Sequence, residues 1–263
     1  MIKLCLSNLA WGKERNDEIH GFMREVGFDG LEIAPSKLFG ENPYEHIEPA
    51  VIFANKLRAD FALDVVSMQS IWYRRDERVF ENERERGFLF DYTKKAVDFA
   101  SAVGCGNVVF GSPKNRVIKD KSQMSLARDF FFGLGEYASE KKTVLAIEPN
   151  PELYGTNFLN TTKEALDFCR DAASGGLKVN LDFGTIIANG EDVDFSLEDV
   201  RLIGHVHISE PNLKPIKKRR EHLNLRDILQ KHGYCGYVSI EMIESQRDAD
   251  ILDAAVYLKE VFG

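Results

Sequence analysis

Cysteines are few in this sequence and long hydrophobic runs are absent. These two features argue against a disulfide-rich protein and against a membrane-spanning one. The four cysteines, at positions 5, 105, 169 and 235, are far apart and form no Cys-x-x-Cys pair. We therefore expect reduced core thiols rather than a disulfide framework, together with a cytoplasmic location. Without a run of about 18 apolar residues, no membrane span is predicted. The opening MIKLCLSNLAWGKE lacks the layout of a signal peptide and is interpreted as a first strand.

Basic residues are also fewer than acidic ones. The chain has 34 lysines and arginines against 42 acidic residues, which gives a formal net charge of −8. An acidic protein gains nothing from the attraction to phosphates that drives nucleic-acid binding. We expect neither a nucleic-acid nor a membrane partner, but a small molecule. The sequence leaves the oligomeric state open, and a homo-oligomer is compatible with it.

Eight short apolar runs alternate with segments of helical periodicity. Alternation of this kind is typical of parallel strands joined by helices, and a length of 263 residues suits a single-domain (β/α)₈ TIM barrel over residues 1–263. An open doubly wound sheet would usually carry G-x-G-x-x-G after the first strand, but this chain has SNLAWGKE there. The runs are residues 2–8, 30–35, 62–70, 107–113, 143–150, 177–184, 203–210 and 237–242, and the clearest helices are predicted at 90–104, 122–142, 161–173 and 249–262.

Polar residues stand at the carboxyl ends of these otherwise apolar runs, where TIM barrels build their active sites. Four of them are good metal ligands, namely Glu148, Asp182, His207 and Glu241, at spacings of 34, 25 and 34 residues. Each spacing is about one strand–helix unit, so the four side chains can meet at one level. Three carboxylates would repel one another without a cation. Oxygen ligands with one imidazole suit Mn²⁺, Mg²⁺ or Co²⁺ best, although Zn²⁺ stays compatible.

Two simpler interpretations remain open at this point. Each of the four residues alone can be a hydrogen-bonded polar group at a strand end. His205 lies two residues before His207 and faces the same side one layer deeper, so we expect it to support the site or the core rather than to bind metal.

Four motifs in this order, IEPNP, NLDFGT, HVHISE and VSIEM, resemble those of the xylose isomerase-like TIM barrels, the sugar phosphate isomerase/epimerase family. The resemblance runs from SNLAW through GFDGLEIAP to the last helix. It implies that the four residues hold one divalent metal and that Glu148 and Glu241 also move protons. Polar residues at the other strand ends and in the loops behind them are then expected to bind substrate: Asn8, Glu32, Gln69, Lys114, Asn150, Tyr154 and Glu210.

Three positions depart from the epimerases of this family. Thr185, Leu213 and Tyr154 stand where those relatives usually have His, Arg and Glu in contact with substrate. The metal centre is therefore expected to be intact and the substrate pocket rebuilt. The family also contains endonuclease IV, which needs extra histidines for three zinc ions. The six histidines of this chain are not at those positions, so a nuclease is not expected.

The resemblance implies proton abstraction beside a carbonyl through an enediolate, which yields an isomer or an epimer. A lyase or dehydratase with the same metal site, and a sugar-binding barrel without turnover, are the alternatives.

Basic residues in two loops suggest an anionic substrate: Lys114 and Arg116 follow strand four, and a Lys/Arg-rich stretch at 214–220 follows strand seven. The second stretch can equally be a solvated loop. Trp11 and Trp72 either wall the pocket or pack in the core, and the charged segment 72–87 is either a lid or the start of a surface helix.

Overall fold

The computed structural model describes residues 1–245, 247 and 249–263. Eight parallel strands close into a barrel in the order of the sequence, and β1 pairs with both β2 and β8. The predicted single-domain (β/α)₈ architecture is confirmed. The strands are β1 Lys3–Ser7, β2 Gly30–Ile33, β3 Asp64–Met68, β4 Asn107–Phe110, β5 Val144–Ile147, β6 Leu177–Asp182, β7 Ile203–Ile208 and β8 Tyr237–Ile240.

Helices surround the barrel and cover the outer faces of the strands. They are α1 Asn16–Val26, α2 Pro35–Phe39, α3 Ile47–Phe61, α4 Glu83–Val103, α5 Gln123–Glu140, α6 Thr162–Ala172, α7 Phe183–Asn189, α8 Leu197–Leu202, α9 Arg220–Lys231 and α10 Ala249–Phe262. The start of α6 is fixed by a capping box, in which Thr161 accepts from the backbone of Glu164 and the Glu164 side chain accepts from Thr161. Among the described residues, no helix is long and apolar enough to cross a membrane.

The predicted runs continue past the observed strands by up to three residues at their carboxyl ends. There the chain leaves the hydrogen-bonded ladder and turns outward, so the polar residues that end each run stand at the barrel mouth. Both tryptophans pack in the core instead of walling a pocket. Trp72 donates to Thr93 at 2.9 Å and packs edge-on against Phe110, while Trp11 donates to Asn16.

The charged segment after β3 is divided between a turn and a helix. Its second half forms the first turn of α4, which begins at Glu83 behind an Asn82 cap. This part of the segment is therefore a helix start. All four cysteines are free thiols, as predicted, and three of them are buried. The prediction that all four lie in the core was wrong for Cys235, which is exposed. The cytoplasmic location inferred from them stays a prediction.

Candidate active site

The carboxyl ends of the strands surround a cavity of about 430 Å³ at the barrel mouth. That volume lies within the range of roughly 300–1,000 Å³ usual for small-molecule sites. Four carboxylates line it, from Glu148, Asp182, Glu210 and Glu241, beside the apolar side chains of Leu9, Val109, Pro113 and Leu213. Within the described residues, this lining contains no lysine or arginine. The lining of the cavity is therefore partly acidic and partly apolar.

The four predicted metal ligands come together at the floor of this cavity. Glu148, Asp182, His207 and Glu241 each offer one ligand atom, and all four atoms lie within 4.8 Å of one another. The Nδ1 atom of His207 is 3.1 Å from a carboxylate oxygen of Glu148 and 3.1 Å from one of Glu241. The sequence spacing of these residues, about one strand–helix unit each, predicted that their side chains would meet at one height in the barrel, and in the structure they do.

Buried donors hold two of the carboxylates in place. For Glu148, the side-chain amide of Asn180 donates to Oε1 at 2.7 Å and that of Asn150 to Oε2 at 3.1 Å. For Asp182, the backbone N–H of Thr185 donates at 2.7 Å and the hydroxyl of Ser209 donates to the other oxygen. These contacts leave little freedom for either carboxylate to rotate, so both are oriented before any ligand binds.

Two glycines give these carboxylates the room they occupy. A Cβ at Gly111 would lie 2.6 Å from Oε2 of Glu148, and a Cβ at Gly184 would lie 2.8 Å from the hydroxyl of Ser209 that binds Asp182. Any larger residue at these two positions would displace the carboxylate or its donor.

A second polar layer lies beneath the cavity and centres on Glu32. Oε1 of Glu32 is 3.0 Å from Nε2 of His207 and 3.4 Å from Nε2 of His205. Ser67 and Ser239 donate to its two oxygens at 2.7 and 2.9 Å. A carboxylate only accepts hydrogen bonds, so the proton on Nε2 of His207 is donated to Glu32. Nδ1 is then the nitrogen that faces the carboxylates and can bind a cation.

Burial and the neighbouring charges shift the pKa values of several residues in this cluster. Burial raises the pKa of Glu241 to about 7, with a contribution from Glu148 and Asp182 and opposition from His207. Burial and the charge of Glu148 also raise the pKa of Asp182. Burial alone would lower the pKa of His207, but Glu241 and Glu32 outweigh it and hold that pKa well above its ordinary value.

A divalent cation suits this arrangement. It would replace the proton on Nδ1 of His207 and neutralise two of the three carboxylates around it. The donor set, three oxygens and one imidazole, is what Mn²⁺, Mg²⁺ or Co²⁺ accepts. Within the described residues, the buried Oδ1 of Asn150 has no hydrogen-bond partner and adds an oxygen beside the same cavity.

Four of the seven predicted substrate-binding residues line the cavity, namely Gln69, Asn150, Tyr154 and Glu210. Tyr154 accepts a hydrogen bond from the backbone of Asn212 at 2.8 Å, which ties the loop after β5 to the loop after β7. The carboxylate of Glu210 is held by Arg219, whose Nε donates at 2.7 Å. Glu210 is thus neutralised, and part of the basic stretch 214–220 serves this pairing.

The other three predicted substrate-binding residues have different surroundings. Asn8 is buried and accepts from the backbone of Ala34 at 2.8 Å, and Glu32 is fully buried against the two histidines. Lys114 is exposed and does not line the cavity, because the chain turns at Ser112 through a left-handed conformation with φ 47°. Arg116 is buried, and its Nη2 donates to the backbone oxygen of Glu148 at 2.7 Å.

Several residues of the site were not among those predicted from the sequence. Asn180 lies in the middle of β6, and Ser67 and Ser239 are small polar residues inside strands. An inward polar residue within a buried parallel strand is the sign that would have found them. Ser70, Ser112, Asn212 and Leu213 all line the cavity with positive φ angles of 47–61°, and such strained backbone concentrates at functional sites.

Comparison with known proteins agrees with the observed fold. Residues 21–261 match the family described as the xylose isomerase-like TIM barrel. The chain belongs to this family. No curated protein sequence matches the chain.

Solved structures with the same fold include several sugar epimerases. A 3-keto-D-glucoside 4-epimerase from E. coli has 18% identity and a TM-score of 0.76, with 99% of each chain covered. A D-psicose 3-epimerase has 15% identity and a TM-score of 0.79 over 100% of both chains. An L-ribulose 3-epimerase has 16% identity and a TM-score of 0.71, with 97% of this chain and 86% of its own covered. At these identities the similarity establishes the fold of this xylose isomerase-like barrel.

Proposed function

We propose that this protein is a divalent-metal-dependent isomerase or epimerase of a carbohydrate, with Glu148, Asp182, His207 and Glu241 as ligands. The observation that carries the proposal is the convergence of these four side chains, from four successive strands, on the floor of an open cavity. The metal would act as a Lewis acid that polarises the carbonyl of the substrate. Family membership and the sugar epimerases of the same fold support carbohydrate chemistry.

Glu148 and Glu241 are the proposed acid and base. Hydrogen bonds from His207 and Asn150 and the charge of Arg116 outweigh burial and lower the pKa of Glu148, whereas burial raises the pKa of Glu241 to about 7. In the metal-free site Glu148 therefore holds a proton less tightly than Glu241, and a bound divalent cation would favour the ionised form of both. A difference of this kind suits a pair in which one carboxylate takes a proton and the other gives one.

One carboxylate takes the proton from a carbon next to the carbonyl. The electron pair of the broken C–H bond forms a C=C bond with the carbonyl carbon, and the π pair of the C=O bond moves to the oxygen to give an enediolate. The other carboxylate, in its protonated form, returns a proton. Delivery to the opposite face of the same carbon restores the carbonyl and gives an epimer. Delivery to the former carbonyl carbon, with the hydroxyl proton passing to the former carbonyl oxygen, gives an isomer.

Hydrogen exchange with solvent tests this proposal. The Mn²⁺-loaded protein is incubated in D₂O with D-psicose, D-fructose, L-ribulose and 3-keto-D-glucosides, and deuterium at the carbon beside the carbonyl is followed by NMR. We expect exchange with at least one sugar, and a loss of roughly a hundredfold or more in Glu148→Gln and in Glu241→Gln. Glu152→Gln, an exposed glutamate in the loop after β5, is the matched control.

The outcomes separate the alternatives. Exchange that ends in loss of water from the sugar would indicate a lyase instead. Sugar binding without exchange would indicate a binding protein. Wild-type exchange rates in both glutamate variants would contradict the proposed acid and base.

A further inference from the structure

A second cavity, of about 490 Å³, adjoins the cavity at the barrel mouth. The two share Leu9 and Ser70 as wall residues, so they meet where the loops after β1 and β3 approach each other. The remaining wall of this second cavity includes Lys37, Glu41, Tyr73 and Arg74. None of these four residues takes part in the proposed proton transfer. The two cavities are therefore neighbours across Leu9 and Ser70.

Lys37 is fixed in this second cavity as a hydrogen-bond donor. Its ammonium group donates to the backbone oxygen of Trp11 at 2.6 Å and to that of Leu9 at 3.3 Å. An ammonium group has three donors, so one remains for a ligand within the part of the chain that the structure describes. Because both acceptors belong to the loop after β1, Lys37 is held beside the wall that the two cavities share.

Tyr73 supplies an aromatic surface to the same cavity. Its side chain is 53% exposed, in a turn where its backbone N–H donates to Ser70 at 3.0 Å. Ser70 and Arg74, on either side of it, have φ angles of 55° and 59°. Arg74 lies 5.5 Å from the centre of the Tyr73 ring and forms an ion pair with Glu41. A large ring kept in solvent on a strained turn is a feature of binding sites.

We propose that the second cavity binds a second sugar unit, so that the substrate is a glycoside or disaccharide. This inference rests on the proposed carbohydrate function. A sugar ring has an apolar C–H face that stacks on an aromatic ring and hydroxyls that accept from Lys37 and bond to the Glu41–Arg74 pair. A phosphate fits less well, because the Arg74 that would bind it is already paired with Glu41.

Calorimetric binding to the Mn²⁺-loaded protein tests the second unit directly. D-glucose is compared with maltose, cellobiose and trehalose, which differ from it by one further ring. We expect at least one disaccharide to bind roughly two- to tenfold more tightly than D-glucose, the size of one stacking contact with an aromatic ring. Tyr73→Ala should remove this advantage and leave D-glucose binding unchanged. Phe132→Ala, an exposed aromatic that lines neither cavity, is the matched control.

Two results would overturn the inference. One is that no disaccharide binds more tightly than D-glucose; the other is that Tyr73→Ala leaves the disaccharide advantage intact or weakens D-glucose equally. Because binding is measured without turnover, the two proposals fail separately. A disaccharide preference without hydrogen exchange would contradict only the proposed chemistry, and exchange on monosaccharides without that preference would contradict only the second sugar unit.

Discussion

Replacing Glu32 with glutamine should weaken metal binding although Glu32 does not reach the cavity. Its Oε1 accepts from Nε2 of His207 at 3.0 Å, and Ser67 and Ser239 hold its two oxygens. Glutamine has the same shape but no charge, so Nδ1 of His207 becomes a poorer ligand and its orientation is less fixed. Loss of such a supporting contact usually costs 10- to 100-fold in metal affinity, or about 1.4–2.8 kcal/mol.

The assay is calorimetric titration of the metal-depleted protein with Mn²⁺. Glu210→Gln is the matched control, because Glu210 is likewise a buried glutamate but is paired with Arg219 rather than with His207. Thermal unfolding of both variants checks that the fold is kept.

The reasoning would be refuted by a Glu32→Gln variant that binds Mn²⁺ as tightly as the wild type. A complete loss of binding in Glu32→Gln, together with normal binding in Glu241→Gln, would have a different meaning. It would place the metal on the other side of the imidazole, between Glu32 and His205.

Two further predictions concern stability. Burial lowers the pKa of His20 to about 4, below its ordinary value near 6.5. The unfolded chain therefore takes up a proton at His20 before the folded protein does, and the free energy of unfolding falls by about 3 kcal/mol as the pH drops from 6.5 towards 4. His20→Phe should therefore flatten the decline of the free energy of unfolding between pH 6.5 and 4, measured by urea titration, and an unchanged decline would contradict this. The hydroxyl of Thr185 lies 2.7 Å from Asp182 and 2.9 Å from the backbone oxygen of Pro149. Thr185→Val should lower the free energy of unfolding by about 1–3 kcal/mol, and an unchanged free energy of unfolding would contradict a stabilising role of these hydrogen bonds.

The fold and the convergence of the four proposed metal ligands were predictable because they depend on a regular repeat. Each apolar run that ends in a polar residue marks one strand, and equal spacing along the chain becomes equal height in a closed barrel. The position of His205 below His207 follows from the alternation of side chains along a strand. These features need no knowledge of distant contacts.

The partners of the site residues could not be predicted in the same way. Glu32 and His207 are 175 residues apart, on strands that do not pair, and meet only because the barrel closes. Whether Lys114 faces the cavity is decided by the left-handed turn at Ser112, and no pattern in the sequence specifies that turn. The pairing of Glu210 with Arg219 likewise depends on how the loop after β7 folds back.

The most direct test of the metal centre is the anomalous scattering of Mn²⁺ in crystals of the protein. Nδ1 of His207 faces Glu148 and Glu241, whereas Nε2 faces Glu32, so the two sides of one imidazole belong to two different sets of acidic residues. We predict a single peak at about 2.0–2.3 Å from Nδ1 of His207 and from carboxylate oxygens of Glu148, Asp182 and Glu241. A peak bound to Nε2 of His207, more than one peak, or none at a saturating Mn²⁺ concentration would contradict the proposed centre.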